Sequence, residues 1–359
     1  MLKQIKSYVA IGVSGLLLTQ SALANDIDIT TIVDGLESPW AMEFLPNNDI
    51  LITERPGKLR LIKNGVLVKK AISGTPKVHF AGQGGLLDVM LDVDFKNNST
   101  LYLSYATGDR KANATQLMSA TLDGMTLKNQ RTLFTALPMK STAHHYAGRI
   151  AQMSDGSLLL TVGDGFNYRE QAQTLDNHFG KIIRINQDGS PHADNPFLKT
   201  ANAKPEIWSY GHRNMQALSV VDDVVYEHEH GPKGGDEVNV IKPGLNYGWP
   251  VITYGIDYNG AQITPFTEYQ GMQQPAINWT PSIAPSAMAY HDGHLYVTSL
   301  AEQSVRKLSV SGNTVSDTGI VFKQLNSRMR DIASGPDGNL YVLTDGGHAS
   351  LLKINQLSQ

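Results

Sequence analysis

A turn rich in Asp, Asn or Gly runs into a short apolar strand that closes on a polar residue, and this chain does so six times. The copies cover 46–54, 96–105, 154–162, 222–227, 291–298 and 335–344. Anchored on Ile50, Leu101, Leu158, Val224, Leu295 and Leu340, they stand 51, 57, 66, 71 and 45 residues apart. A strand pattern returning at periods of roughly 40–50 residues, with room for several strands in each, marks a β-propeller with one blade per repeat. A parallel β-helix needs a much shorter period, and a sandwich gives no reason for six like punctuations. Helical periodicity is scarce, and the chain carries 33 glycines. The expectation is an all-β, six-bladed β-propeller, with no boundary that divides residues 25–359 into two domains. The long middle spacings imply loop insertions on one face, where binding residues gather.

The first residues read as an address rather than as fold. Lys3 and Lys6 make a basic start, Tyr8 to Leu18 is apolar, and Ala22-Leu23-Ala24 is a small-x-small cleavage signal. This is the pattern of a secretory signal peptide cleaved after Ala24, too short to span a membrane. Export to a periplasm follows as the simplest destination. The sequence holds 30 Lys and Arg against 33 Asp and Glu; losing Lys3 and Lys6 leaves 28 basic residues and a net of −5. A mildly acidic surface argues against nucleic acid or an anionic membrane as partner. There is no cysteine, which removes thiol catalysis and thiolate-bound metal. The fold must then be held by its apolar core alone.

The stretch 144–165 carries the clearest chemistry. His144-His145 precedes one strand, Asp155-Gly156 turns, and a second strand stops at Gly163-Asp164-Gly165. An antiparallel return brings the second end back to the level of the first. His145 and Asp164 are therefore expected side by side at one rim of a sheet, as a general base and the carboxylate that orients it. The alternative is a loop histidine and a turn-capping aspartate. Arg149 suits a structural pairing with an acid in the sheet. Elsewhere, Gln83 sits in a Gly-rich loop that lets backbone approach a ligand closely. Arg213 and Asn214 follow Gly211-His212 and suit carbonyl or carboxylate oxygens. Between Glu227 and Glu237, imidazoles could bind a transition metal, while the Gly231 and Pro232 carbonyls with Asp236 and Glu237 suit calcium. Arg328 and Arg330, alternating on an extended segment, point the same way and call for an anion. Aromatic residues near loops, Trp249 and Trp279 among them, suit flat rings or packing.

Taken together, His145-x-x-Gly-Arg149, Gly163-Asp164, Gly211-His-Arg-Asn214, Gly231-Pro232 through Asp236-Glu237, Asn246-Tyr-Gly-Trp-Pro250 and Arg328-x-Arg330-Asp331 resemble the soluble quinoprotein glucose/aldose sugar dehydrogenases. The resemblance spans nearly all of 25–359. It implies a six-bladed propeller using pyrroloquinoline quinone (PQQ) and calcium to oxidise aldose sugars at C1 to the lactone, with electrons passed to an external acceptor. It implies His145 as base, Asp164 as its orienting acid and Arg213 as polariser. Gln83, Arg213, Asn214, Arg328 and Arg330 match residues around PQQ or substrate, and Trp279 matches an aromatic flanking the sugar. The Gly231 and Pro232 carbonyls match ligands of the PQQ calcium; Glu237, the Tyr247 carbonyl and Asp257 match a second, structural calcium. A monomer is expected. In glucose-specific members a lysine holds the PQQ carboxylates where this chain reads Ser299-Leu300-Ala301, so that contact is absent. The competing functions are a lactonase-type metal hydrolase on the same fold and a non-catalytic binding propeller.

Overall fold

The computed structural model describes residues 27–355; the signal-peptide reading and its cleavage point fall outside them. Six four-stranded antiparallel sheets follow one another along the chain. Five are built from consecutive strands over 39–67, 86–135, 147–210, 215–279 and 285–321. The sixth joins Met329–Ser334, Leu340–Thr344 and Ala349–Asn355 to the N-terminal strand Asp28–Leu36, which pairs with Ala349–Asn355. The ring is thus closed by hydrogen bonds between the two ends of the chain, a six-bladed β-propeller.

Each of the six sequence anchors falls in the second strand of its blade. These strands are apolar on both sides because neighbouring blades cover both faces; Leu158–Val162 is buried at every position. The core is accordingly six seams between blades. One seam sets Leu51, Leu59 and Ile72 against Leu86, Leu101 and Met118. Another sets Ala217, Tyr226 and Val238 against Met288, Leu295 and Leu308. Each fully buried Leu or Ile contributes about 1.5–3 kcal/mol relative to exposure.

The innermost strands share a second repeat. In all six, pairing with the second strand slips just after the first residue, at Trp40, Leu87-Asp88, Gly148-Arg149, Gln216, Ser286 and Arg330. A bulge re-aims side chains and leaves backbone donors unpaired. The polar residue that closes the repeated strand answers those donors. Thr53 Oγ1 accepts from Ala41 N, Ser104 Oγ from Asp88 N, and Thr161 Oγ1 from both Gly148 N and Arg149 N. Trp40, Leu87, Gln216 and Arg330, from four of these bulges, line one cavity, while Asp88 and Arg149 line another recess.

Candidate active site

His145 and Asp164 meet as the strand geometry requires. Ala147 pairs with Val162 across Ala147–Gln152 and Leu158–Val162, so the two residues lie just beyond the same strand ends. His145 Nδ1 is 2.7 Å from Asp164 Oδ1. Asp164 also accepts from Phe166 N (2.8 Å) on Oδ1 and from Trp249 Nε1 (2.7 Å) on Oδ2. A carboxylate serving three donors fixes the imidazole with its proton on Nδ1. That leaves Nε2, which makes no hydrogen bond among the described residues, as the proton acceptor. Burial holds His145 below its ordinary pKa, with Asp164 opposing. For Asp164, burial pushes upward but is outweighed by His145, Arg213 and the Phe166 amide, so it stays ionised. His145 is 4% exposed and sits at φ +50°, with Ala147 at φ +56°. Gln83 Oε1 accepts from His145 N (2.7 Å) and anchors this uncommon backbone. Gly82 allows that approach, since a Cβ there would stand 2.4 Å from the Ala143 carbonyl oxygen.

His145, Asp164, Arg213 and Trp249 line a pocket of about 350 Å³, walled also by Phe166 and Tyr258. The neighbouring residues of the same loops, Ala147, Asn214 and His230, line a second cavity of about 370 Å³ with Gln83, Arg55, Arg328 and Arg330. Arg328 and Arg330 do point the same way: both grip Asp345, at 3.1 and 2.9 Å. Arg213 stands between the cavities. Its Nη1 donates to the carbonyls of His230 (3.0 Å) and Gly231 (2.8 Å), its guanidinium faces Trp249 at 5.2 Å, and its buried Nε has no partner.

A family model described as "Glucose / Sorbosone dehydrogenase" matches residues 36–353. This chain belongs to that family. The aldose sugar dehydrogenase YliI of Escherichia coli is 38% identical, over 92% of this chain and 93% of the relative. The crystal structure of the soluble Escherichia coli aldose sugar dehydrogenase in its apo form superposes with a TM-score of 0.89 at 37% identity, covering 92% of this chain and all of that one. A PQQ-bound aldose sugar dehydrogenase from Streptomyces coelicolor gives a TM-score of 0.75 at 27% identity, covering 92% and 98%. The chain is an oxidoreductase of the glucose/sorbosone dehydrogenase family, and its two adjoining cavities are the candidate site.

Measured against the residues expected from this family, the geometry is selective. Gln83, His145, Asp164, Arg213, Asn214, Arg328 and Arg330 converge. Gly231, Glu237 and Tyr247 share one small recess with Glu229, whereas Pro232 and Asp257 line the His145 pocket instead. Asp257 pairs there with Arg169 (3.3 Å). Trp279 does not line the His145 pocket: it is buried, bonds Asp317 through Nε1 (2.9 Å), and lines a separate recess with Arg306 and Ala301. The aromatic residues that line the His145 pocket are Trp249, Phe166 and Tyr258. Trp249 belongs to the Asn246-Tyr-Gly-Trp-Pro250 motif, but nothing local in sequence ties it to an aspartate 85 residues away. Lys140 also escaped notice; its ammonium donates to the carbonyls of Thr142 (2.7 Å) and His144 (2.8 Å) beneath the base, and burial brings its pKa down to about 7.

Proposed function

We propose that this protein oxidises aldose sugars at C1 to the lactone, using PQQ and calcium, and delivers the electrons to an external acceptor. The observation that carries the reading is the His145–Asp164 contact at 2.7 Å, with a free Nε2, in a pocket that adjoins an arginine-rich cavity. The donor set fits the cofactor: guanidiniums of Arg328 and Arg330 and amides of Gln83 and Asn214 suit a planar polycarboxylate. The unpartnered Arg213 Nε is a buried donor without an acceptor, which suits an oxygen-bearing ligand. A cation fits too. Burial first, then the charge of Glu229, pushes the carboxyls of Glu227 and Glu237 well above their ordinary range, and Glu227 Oε1 has no partner. Surplus buried carboxylate of that kind suits a hard cation held with the Tyr247 carbonyl. When bound, PQQ supplies an electrophilic quinone and calcium the positive charge that polarises it.

The protein's own residues do the rest. His145 Nε2 takes the proton of the anomeric hydroxyl, and Asp164 stabilises the resulting imidazolium through Nδ1. Trp249 and the Phe166 amide keep that carboxylate fixed, so no reorganisation is needed when charge develops. Arg213 directs positive charge between the two cavities. Phe166, whose ring centroid is 5.0 Å from that of His145, and Tyr258 screen the base from water. A lactonase reading would need open carboxylates on the axis to hold a metal-bound water. The axial acids Asp88 and Asp331 are instead engaged by Arg149 and by backbone amides. Residues 25–359 then act as one exported catalytic unit, working as a monomer in a periplasm. The test is reconstitution of purified protein with PQQ and calcium, followed by an aldose and an artificial electron acceptor. Bleaching of the acceptor with lactone formation is expected; lactone hydrolysis without bleaching would overturn the reading.

A further inference from the structure

The arginine-rich cavity has three guanidiniums on its walls, not two. Arg55, just past the strand Ile50–Glu54, lines it together with Arg328 and Arg330. The only acid on those walls is Asp345, and both of its oxygens are taken by Arg328 and Arg330. No carboxylate pairs with Arg55 in the described residues. Its Nε and Nη2 donate to the Gly84 carbonyl (3.3 and 3.1 Å), Nη2 also to the Gly82 carbonyl, and Nη1 is uncommitted. Burial and the charge of Arg330 both weaken its hold on its proton, and Asp345 only partly compensates. Three cations against one anion leave the cavity two positive charges in excess. Such an excess in a partly desolvated wall is costly unless an anion completes it. On the blade-five side, the end of strand His294–Ser299 and residues Leu300 and Ala301 offer no side-chain cation.

We propose that Arg55 is a cofactor-binding residue: it grips a carboxylate of the polyanionic quinone that this cavity receives, from the first blade, opposite in sequence to the Arg328–Arg330 pair. This rests on the PQQ reading above. Arg55 also ties down the 82–84 loop, whose Gln83 holds His145 N, so the ionic and the loop-holding roles must be told apart.

The experiment titrates apoprotein with PQQ and with the PQQ trimethyl ester, following tryptophan fluorescence, for wild type, Arg55→Gln and Arg55→Lys. Thermal melts establish that both variants are folded. Expected is at least tenfold weaker PQQ binding in Arg55→Gln, partial recovery in Arg55→Lys, and equal ester binding in all three, since a charge-assisted contact is lost only where the ligand carries charge. Equal losses for acid and ester would assign Arg55 to loop-holding and overturn the proposal, as would unchanged PQQ affinity in Arg55→Gln. Wild-type apoprotein that binds neither compound would bring down the cofactor reading itself, and this inference with it.

Discussion

Two levels of the same axis use arginine in opposite ways. Near the middle of the ring, Arg149 engages all three of its guanidinium nitrogens. It bonds the Gln216 carbonyl (2.7 Å) and the Ser286 carbonyl (3.0 Å), pairs with Asp88 (3.4 Å) and Asp331 (3.1 Å), and lies 4.1 Å from the Trp40 ring. One side chain thus touches all five of the other blades, four of them through polar contacts, and no guanidinium nitrogen is left without a partner. At the rim above, Arg213 keeps a buried Nε without a partner, Arg55 keeps Nη1, and His145 keeps Nε2. Burial is similar at both levels: Arg149 is 7% exposed and Arg213 5%. What separates structure from function here is unspent hydrogen-bond capacity, not depth.

That contrast can be broken in graded ways. The largest expected effect is at the rim: His145→Ala should lower turnover by about 10²–10⁴-fold, the usual range for a general base, while PQQ binding persists. Retained turnover would end the base assignment. At the middle level, Arg149→Met should cost about 3–5 kcal/mol of stability, because Asp88 and Asp331 are left buried without their cation. Denaturant unfolding reads it, and a variant as stable as wild type would show that the fork is not holding the blades. Smaller than either, Trp249→Phe removes one donor to Asp164 and should cost about 1–3 kcal/mol in the transition state, read as kcat falling with little change in KM.

Two pH measurements sharpen the same comparison. His145 is held below its ordinary value, so the acid limb of kcat/KM should fall below about 6.5, where free histidine titrates. Asp164→Asn removes the charge that opposes the shift, and the limb should move to still lower pH. The second pH effect is on stability, at the lower recess beside Arg149. Burial first, then Asp88, pushes Glu43 up to about 8, and burial, opposed by Arg149, leaves Asp331 raised to about 6. The folded state therefore binds protons that the unfolded chain has already released, and stability should decline as pH rises from about 4 to about 8. Glu43→Gln should flatten the upper part of that decline, seen in melts at pH 5 and pH 8. An unchanged slope would mean that Glu43 does not titrate in this window.

Much of this was legible before any coordinates. The repeated strand ending in Thr or Ser announced both the blade count and, once the bulges were seen, the hydroxyl that serves them. The His145–Asp164 pair was readable because a single antiparallel return fixes it locally. Arg149's structural role was also foreseeable from its place inside an apolar strand. Trp279 was not: its place in a recess apart from the His145 pocket depends on how blade four meets blade five, and local sequence carries no trace of that. Asp257 was not legible either: within the 250–276 insertion, Ile252 and Thr253 line the recess that holds Glu237, while Asp257 lines the His145 pocket and pairs with Arg169.

The amino-acid sequence alone determined the period, the strand alternation and the family motifs, because each depends on neighbours within a few residues or on one hairpin. Only the tertiary structure decided which charged groups are spent and which are free. Whether Arg55, Arg149, Arg213 or Arg330 meets an acid, a carbonyl or an open cavity depends on residues up to hundreds of positions away, brought together when the last strand pairs with the first and closes the ring.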